Sequence, residues 1–299
     1  MSIKVGFIGA GIIGKPIAMN VMRDFPLTVF DLNKNTLDEF ARAGASIAKS
    51  PKEVGQKADI IGLGLRDDDQ VRAVVLGENG ILAGAKKGTI IVIHSTIEPE
   101  TAVELNEVCE KQGVSIVDAP ISGGREGAAA RTLLYMVGGT KENFDRCEPV
   151  FATSGTTIIH MGPVGSGAKT RIVHHVMLAL NRFAADEGMK LAKAIGLDVA
   201  TVSRAVHGGE AQSHVIDRYL EKYRDMPTGG QYRIAGIAMR MAHDLGIPLL
   251  GPAIYQQLYL PTNDVTNRAK AKEIREKDKE KRVKDSAPEA IVRTMVASA

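Results

Sequence analysis

Short runs rich in Ile and Val alternate with amphipathic stretches through about the first 160 residues. The runs at 3–8, 27–31, 59–65, 89–93, 114–118, 134–138 and 157–160 predict strands. Between several of them lie stretches long enough to be crossover helices. Such alternation implies a mainly parallel sheet covered on both faces. Gly162-Pro163-Val164-Gly165-Ser166-Gly167 then punctuates the chain, and the pattern changes. From Ala168 to about Ala194 there is no proline, and Gly188 is the only glycine, which predicts one helix roughly 40 Å long. Everything beyond reads as helical, broken at Gly208-Gly209, at Met226-Pro227-Thr228-Gly229-Gly230 and at Pro248. The mixed charges of 267–285 read as a solvated helix. The expected fold is therefore α/β: a doubly wound sheet over 1–163, then an all-helical domain over 164–299 that includes an interdomain helix at 167–194.

Composition narrows the function classes. A formal charge of +3 gives no argument for nucleic acid, and no apolar run reaches the length of a membrane span. Cys109 and Cys147 both fall in helical segments and read as reduced packing residues. The chain opens into the strand Ile3-Lys4-Val5-Gly6-Phe7-Ile8 rather than a secretory leader, so a cytoplasmic setting is expected.

Gly9-Ala10-Gly11-Ile12-Ile13-Gly14 follows the first strand and opens a helix. The first glycine permits a tight turn, the second lets backbone approach a pyrophosphate, and the third allows helix to pack on strand. The helix N-terminus offers partial positive charge to the phosphates. The second strand ends at Asp31, whose carboxylate can accept from both adenosine ribose hydroxyls and would repel a 2′-phosphate. This favours NAD over NADP. S-adenosylmethionine-dependent methyltransferases share the logic but differ in the glycine motif.

Beyond the glycines the sequence runs Gly14-Lys15-Pro16-Ile17-Ala18-Met19-Asn20, and later carries His94-Ser95-Thr96-Ile97-Glu98-Pro99, Asp118-Ala119-Pro120-Ile121-Ser122-Gly123-Gly124 and Met136-Val137-Gly138-Gly139. In this order the motifs resemble the β-hydroxyacid dehydrogenase family over about residues 3 to 260. The resemblance implies a Rossmann domain, a long interdomain helix, an all-helical second domain, and a homodimer or homotetramer. It places Leu65 and Thr96 near the nicotinamide, and Ser122, Gly123, Gly124 and Arg125 at the substrate.

The sequence also departs from the family. Counting from Gly165 and Gly167, Arg171 stands at the catalytic lysine position and His174-His175 at the paired asparagines. The later Lys-Asp-Leu motif, a further cofactor contact, falls on Arg233-Ile234-Ala235. Arg171, His174 and His175 are spaced i, i+3 and i+4 and share a helix face, whereas Lys169 is turned away from it. Arginine can polarise a carbonyl or hold a carboxylate but is a poor proton shuttle. A histidine, His175 in preference to His174, must then move the proton. Arg125 and Arg131 add guanidinium to the substrate loop, which points to an anionic substrate. The expected activity is NAD-dependent hydride transfer on a small hydroxyacid or aldehyde-acid. Imine or enamine reduction, and a dinucleotide-binding protein without turnover, are the alternatives.

Overall fold

The computed structural model describes residues 3–223 and 229–258, so the charged stretch expected at 267–285 lies outside the described residues. Contacts divide the chain into two units, with the division after Val173. Each is described by itself.

The first unit is built on one sheet. Its strands are β1 (Val5–Ile8), β2 (Leu27–Phe30), β3 (Ser46–Ile47), β4 (Ile60–Leu63), β5 (Ile90–Ile93), β6 (Ser115–Asp118), β7 (Ile121–Ser122), β8 (Leu133–Gly138) and β9 (Gly155–Gly162). The order is β3-β2-β1-β4-β5-β6-β8-β7, with β9 beside β8. β1 to β6 pair in parallel, β8 runs antiparallel to β6 and β7, and β9 returns parallel to β8. Alternate residues of the central strands serve opposite faces. Val5, Phe7, Ile60, Ile90 and Val92 enter one apolar cluster, while Ile8, Ile61, Leu63, Ile91 and Ile93 enter another. That two-sided burial is why these strands read as unbroken apolar runs.

Helices α1 (Gly14–Val21), α2 (Lys34–Arg42), α3 (Pro51–Lys57), α4 (Asp68–Leu76), α5 (Pro99–Glu110), α6 (Gly124–Ala130) and α7 (Lys141–Phe151) connect the strands. Several have local start signals: Asn33, Ser50, Asp67 and Thr140 each accept from a backbone N–H of the first turn. The chain turns outward from β1 toward β2 on one side and β4 on the other, so the crevice beside the ends of β1 and β4 is the place where such sheets take ligands. Cys109 and Cys147 are buried free thiols, as the sequence implied.

The long helix α8 spans Ser166–Ala194 and carries the contact boundary within it. In the second unit follow α9 (Val199–His207), α10 (His214–Asp217), a short π-helical stretch at Tyr219–Tyr223, α11 (Gly229–Asp244) and α12 (Leu250–Leu258). Ala185, Met189, Val215, Ile216 and Tyr219 form a small apolar core there. The Tyr219 hydroxyl donates to the buried Asp186 at 2.7 Å. No helix among the described residues is long and apolar enough to cross a membrane.

Candidate active site

The glycine turn is positioned by contacts that exclude side chains. Gly9 has φ +86°, a backbone region that favours glycine. A Cβ on Gly14 would lie 2.1 Å from the Gly9 carbonyl oxygen, so the start of α1 closes directly onto the end of β1. At Gly11 the direction a Cβ would take meets nothing within 4 Å. That opening at the head of a helix is the cradle a pyrophosphate needs, and these residues fit a dinucleotide. Ile12 stands exposed at the turn's tip, and Ile13 immediately precedes α1. The Asp31 carboxylate accepts from the Ala10 N–H at 2.7 Å and from the Asn33 N–H at 2.8 Å. It therefore fixes the glycine turn to the end of β2, and its remaining lone pairs can accept ribose hydroxyls.

A second junction joins the ends of β4 and β5. The buried Ser95 hydroxyl donates to the Leu65 carbonyl at 2.8 Å and accepts from the Leu65 N–H at 2.9 Å. Leu65 is thus clamped through its backbone, and Thr96 follows, half-buried. The motif contains Ser95 between His94 and Thr96 but gives it no role of its own. A serine that pairs with both backbone groups of a residue 30 positions away leaves no local signature. His94, read as part of the same turn, instead faces the interior. Its ring stacks on Phe7 with centroids 5.9 Å apart and meets Tyr135 and Phe151 edge-on. Burial pushes its pKa down to about 4, against the pull of the Ala119 carbonyl 3.1 Å from Nδ1.

The stretch read as a substrate loop is more structured than a loop. Ile121–Ser122 pairs antiparallel with β8, and Gly123 and Gly124, at φ +123° and +66°, turn the chain into α6. Ser122 is half-buried and Arg125 exposed on the first turn of α6. The buried Asn20 side chain donates to the Ala128 carbonyl at 2.7 Å, which ties α6 to α1. Asp118, included in the motif without a role, is buried at the head of this segment.

Arg131 is the exception among the guanidiniums expected here. It ends α6 in the left-handed region, at φ 63°, and its Nε donates to the Thr153 carbonyl at 2.7 Å. It belongs to the opposite end of α6 from Gly123 and Gly124. A non-glycine residue in this conformation costs about 1 kcal/mol or more. Arg131→Ala keeps the strain and loses the bond, whereas Arg131→Gly loses both. Thermal or urea unfolding should find the Gly variant about 1 kcal/mol more stable than the Ala variant. Turnover should be unaltered in both; loss of activity in either would return Arg131 to the site.

On α8 the residues singled out by their spacing differ in exposure. Lys169 is exposed, Arg171 and His174 are half-buried, and His175 is buried. Burial pulls the Arg171 guanidinium down to about 10, so it stays charged at neutral pH. The helix is not covered all round: Val173 and Met177 are exposed. Arg233, placed by the sequence at a cofactor motif, lies half-buried on α11 of the second unit.

The sheet order, glycine turn and terminal Asp31 define a nicotinamide dinucleotide-binding domain. The family model for the NAD-binding domain of 6-phosphogluconate dehydrogenase matches residues 4–162. The model described as NAD-binding of NADP-dependent 3-hydroxyisobutyrate dehydrogenase matches 165–274. The chain is 34% identical over 248 residues to the NAD-dependent L-serine dehydrogenase of Pseudomonas aeruginosa, covering 82% of this chain and 83% of that one. It is 33% identical to the 2-(hydroxymethyl)glutarate dehydrogenase of Eubacterium barkeri, over 83% of this chain and 82% of that one. Among solved structures, Mycobacterium tuberculosis 3-hydroxyisobutyrate dehydrogenase with L-serine superposes with a TM-score of 0.77 at 25% identity, over 87% of this chain and 93% of that one. The chain belongs to the β-hydroxyacid dehydrogenase family, nicotinamide-dependent oxidoreductases acting on CH–OH donors.

Proposed function

We propose that this protein interconverts a small anionic hydroxyacid and the corresponding aldehyde- or keto-acid with NAD, using Arg171 and His175 where relatives use lysine and asparagine. The observation that carries the reading is the position of these two residues four apart on α8, one half-buried and one buried. When bound, the nicotinamide supplies or takes a hydride. Gly9, Gly11 and Gly14 would hold the pyrophosphate, with Ile12 and Ile13 at the turn, Asp31 would hold the ribose, and Leu65 and Thr96 would serve the nicotinamide. Ser122, Gly123, Gly124 and Arg125 would receive the substrate carboxylate, and Arg233 is carried as a cofactor residue from its place in the motif alone.

In the reducing direction Arg171 stabilises the negative charge that grows on the substrate oxygen, and His175 donates the proton to that oxygen. In the oxidising direction His175 takes the hydroxyl proton while Arg171 holds the oxygen in place. His174, on the same face, orients the substrate. A homodimer or homotetramer in the cytoplasm is part of the proposal, supported for assembly by the exposed Val173, Met177, Leu191 and Ile195 of one helix and its end.

The test follows NAD reduction with L-serine, 3-hydroxyisobutyrate and 2-(hydroxymethyl)glutarate as probes. Saturable turnover with at least one, and with NAD preferred over NADP, is expected. Tight NADH binding with no turnover on any of them, in either direction, would sink the reading.

A further inference from the structure

We infer that Asp118 is a positioning residue for the proposed reaction, the group that fixes the first turn of α8 to the sheet. This rests on the reading that gives Arg171 a part in the chemistry. Asp118 ends β6 and is 1% exposed. One carboxylate oxygen accepts from the Gly165 N–H at 2.7 Å, the other from the Ala168 N–H at 2.7 Å. Those donors flank the start of α8, where N–H groups have no partner within the helix. The carboxylate satisfies two of them and adds a negative charge to the positive end of a 29-residue helix.

The surrounding backbone leaves the helix no other seat. A Cβ on Gly167 would lie 2.4 Å from both the Asp118 and Met136 carbonyl oxygens. A Cβ on Gly138 would lie 2.3 Å from an Asp118 carboxylate oxygen and 2.8 Å from the Gly167 N–H nitrogen. The start of α8 is thus pressed onto the ends of β6 and β8, and only glycine at both positions permits it. Burial raises the Asp118 pKa to about 6 against the lowering effect of its N–H donors, so the charge is present at neutral pH. Arg171 comes three residues after Ala168, on the turn that follows the anchored one.

The experiment compares wild type with Asp118→Asn and Asp118→Ala. Asparagine keeps one acceptor but turns an N–H donor toward the second backbone N–H; alanine keeps neither. Hydrogen exchange by mass spectrometry should rise in peptides covering 164–172, more in the alanine variant. NADH affinity, measured by its fluorescence, should stay within about threefold. Turnover with whichever probe the wild type accepts should fall about tenfold in D118N and about a hundredfold in D118A, with KM changing less than kcat. A purely structural cap would change exchange and stability without that graded loss of kcat.

Wild-type exchange at 164–172 in both variants overturns the cap. A uniform rise across the whole first unit also overturns it, because the effect would then be global unfolding. Raised local exchange with unchanged kcat overturns the positioning role. Arg171→Ala is measured alongside: if it retains full turnover, the Arg171 reading fails and the positioning role falls with it, for a reason separate from the cap.

Discussion

Replacing His175 by alanine is expected to lower turnover on the order of a hundredfold or more while leaving NADH affinity unchanged. The argument begins with what Arg171 cannot do. Even with burial pulling it to about 10, its guanidinium keeps its proton at neutral pH. It can hold charge on an oxygen but does not cycle a proton through each turnover. The proton-carrying side chains on the same helix face are the imidazoles of His174 and His175, and His175, one turn on, is the buried one of the pair. Removing it strands the proton, so kcat should fall and KM should not. Removing Arg171 instead should weaken both, because a cation that holds a charged oxygen contributes before and during the reaction. The sharper arm is Arg171→Lys in the His175→Ala background. An ammonium in a desolvated site can give up its proton, so this double variant should recover at least about tenfold of the lost turnover. Undiminished kcat in H175A alone would remove the histidine from the chemistry.

Which parts of this arrangement could be read beforehand follows from the range of the interactions involved. β4 and β5 announced themselves because every residue of Ile60–Leu63 and Ile90–Ile93 is buried. β3 and β7, two residues each, are too short to show any period; they exist because neighbouring strands offer them a ladder. β9 is longer than the apolar core of its sequence, running through Gly155–Gly162 at the sheet's edge with much of its length exposed. The glycine turn and Asp31 were legible because their chemistry is local and their spacing short. Ser95, Asn20 and Asp118 stand in recognisable motifs, but their roles were not legible, since each acts on a backbone group 30 to 108 residues away. The bond from Arg131 to Thr153 at the far end of α6 was likewise not legible, because its partner lies 22 residues away.

His94→Phe should make the first unit gain stability relative to the wild type as pH falls, and the comparison involves two groups that titrate in opposite senses. His94 is held near 4 in the folded protein against an ordinary value of 6.5, because its uncharged ring sits among Phe7, Tyr135 and Phe151. Its contribution is therefore fully present above about pH 6.5. As pH falls toward 4 the unfolded chain takes up a proton that the folded one refuses, and up to about 3 kcal/mol of stability is lost. Asp118 does the reverse. Its folded value of about 6 exceeds the ordinary 3.8, so over much of the same window the folded protein binds the extra proton and gains stability as pH falls. In the wild type these two contributions oppose one another between pH 7 and 4. Phenylalanine fills the ring space of His94 but leaves the Ala119 carbonyl without that partner, which lowers stability at pH 7. It cannot be protonated, so the His94 contribution drops out of the pH dependence while the Asp118 trend is kept. Urea unfolding at pH 7 and at pH 4 should find the gap between wild type and variant shifting by about 3 kcal/mol in the variant's favour at the lower pH. A gap independent of pH would mean that His94 charges as readily inside the fold as outside it.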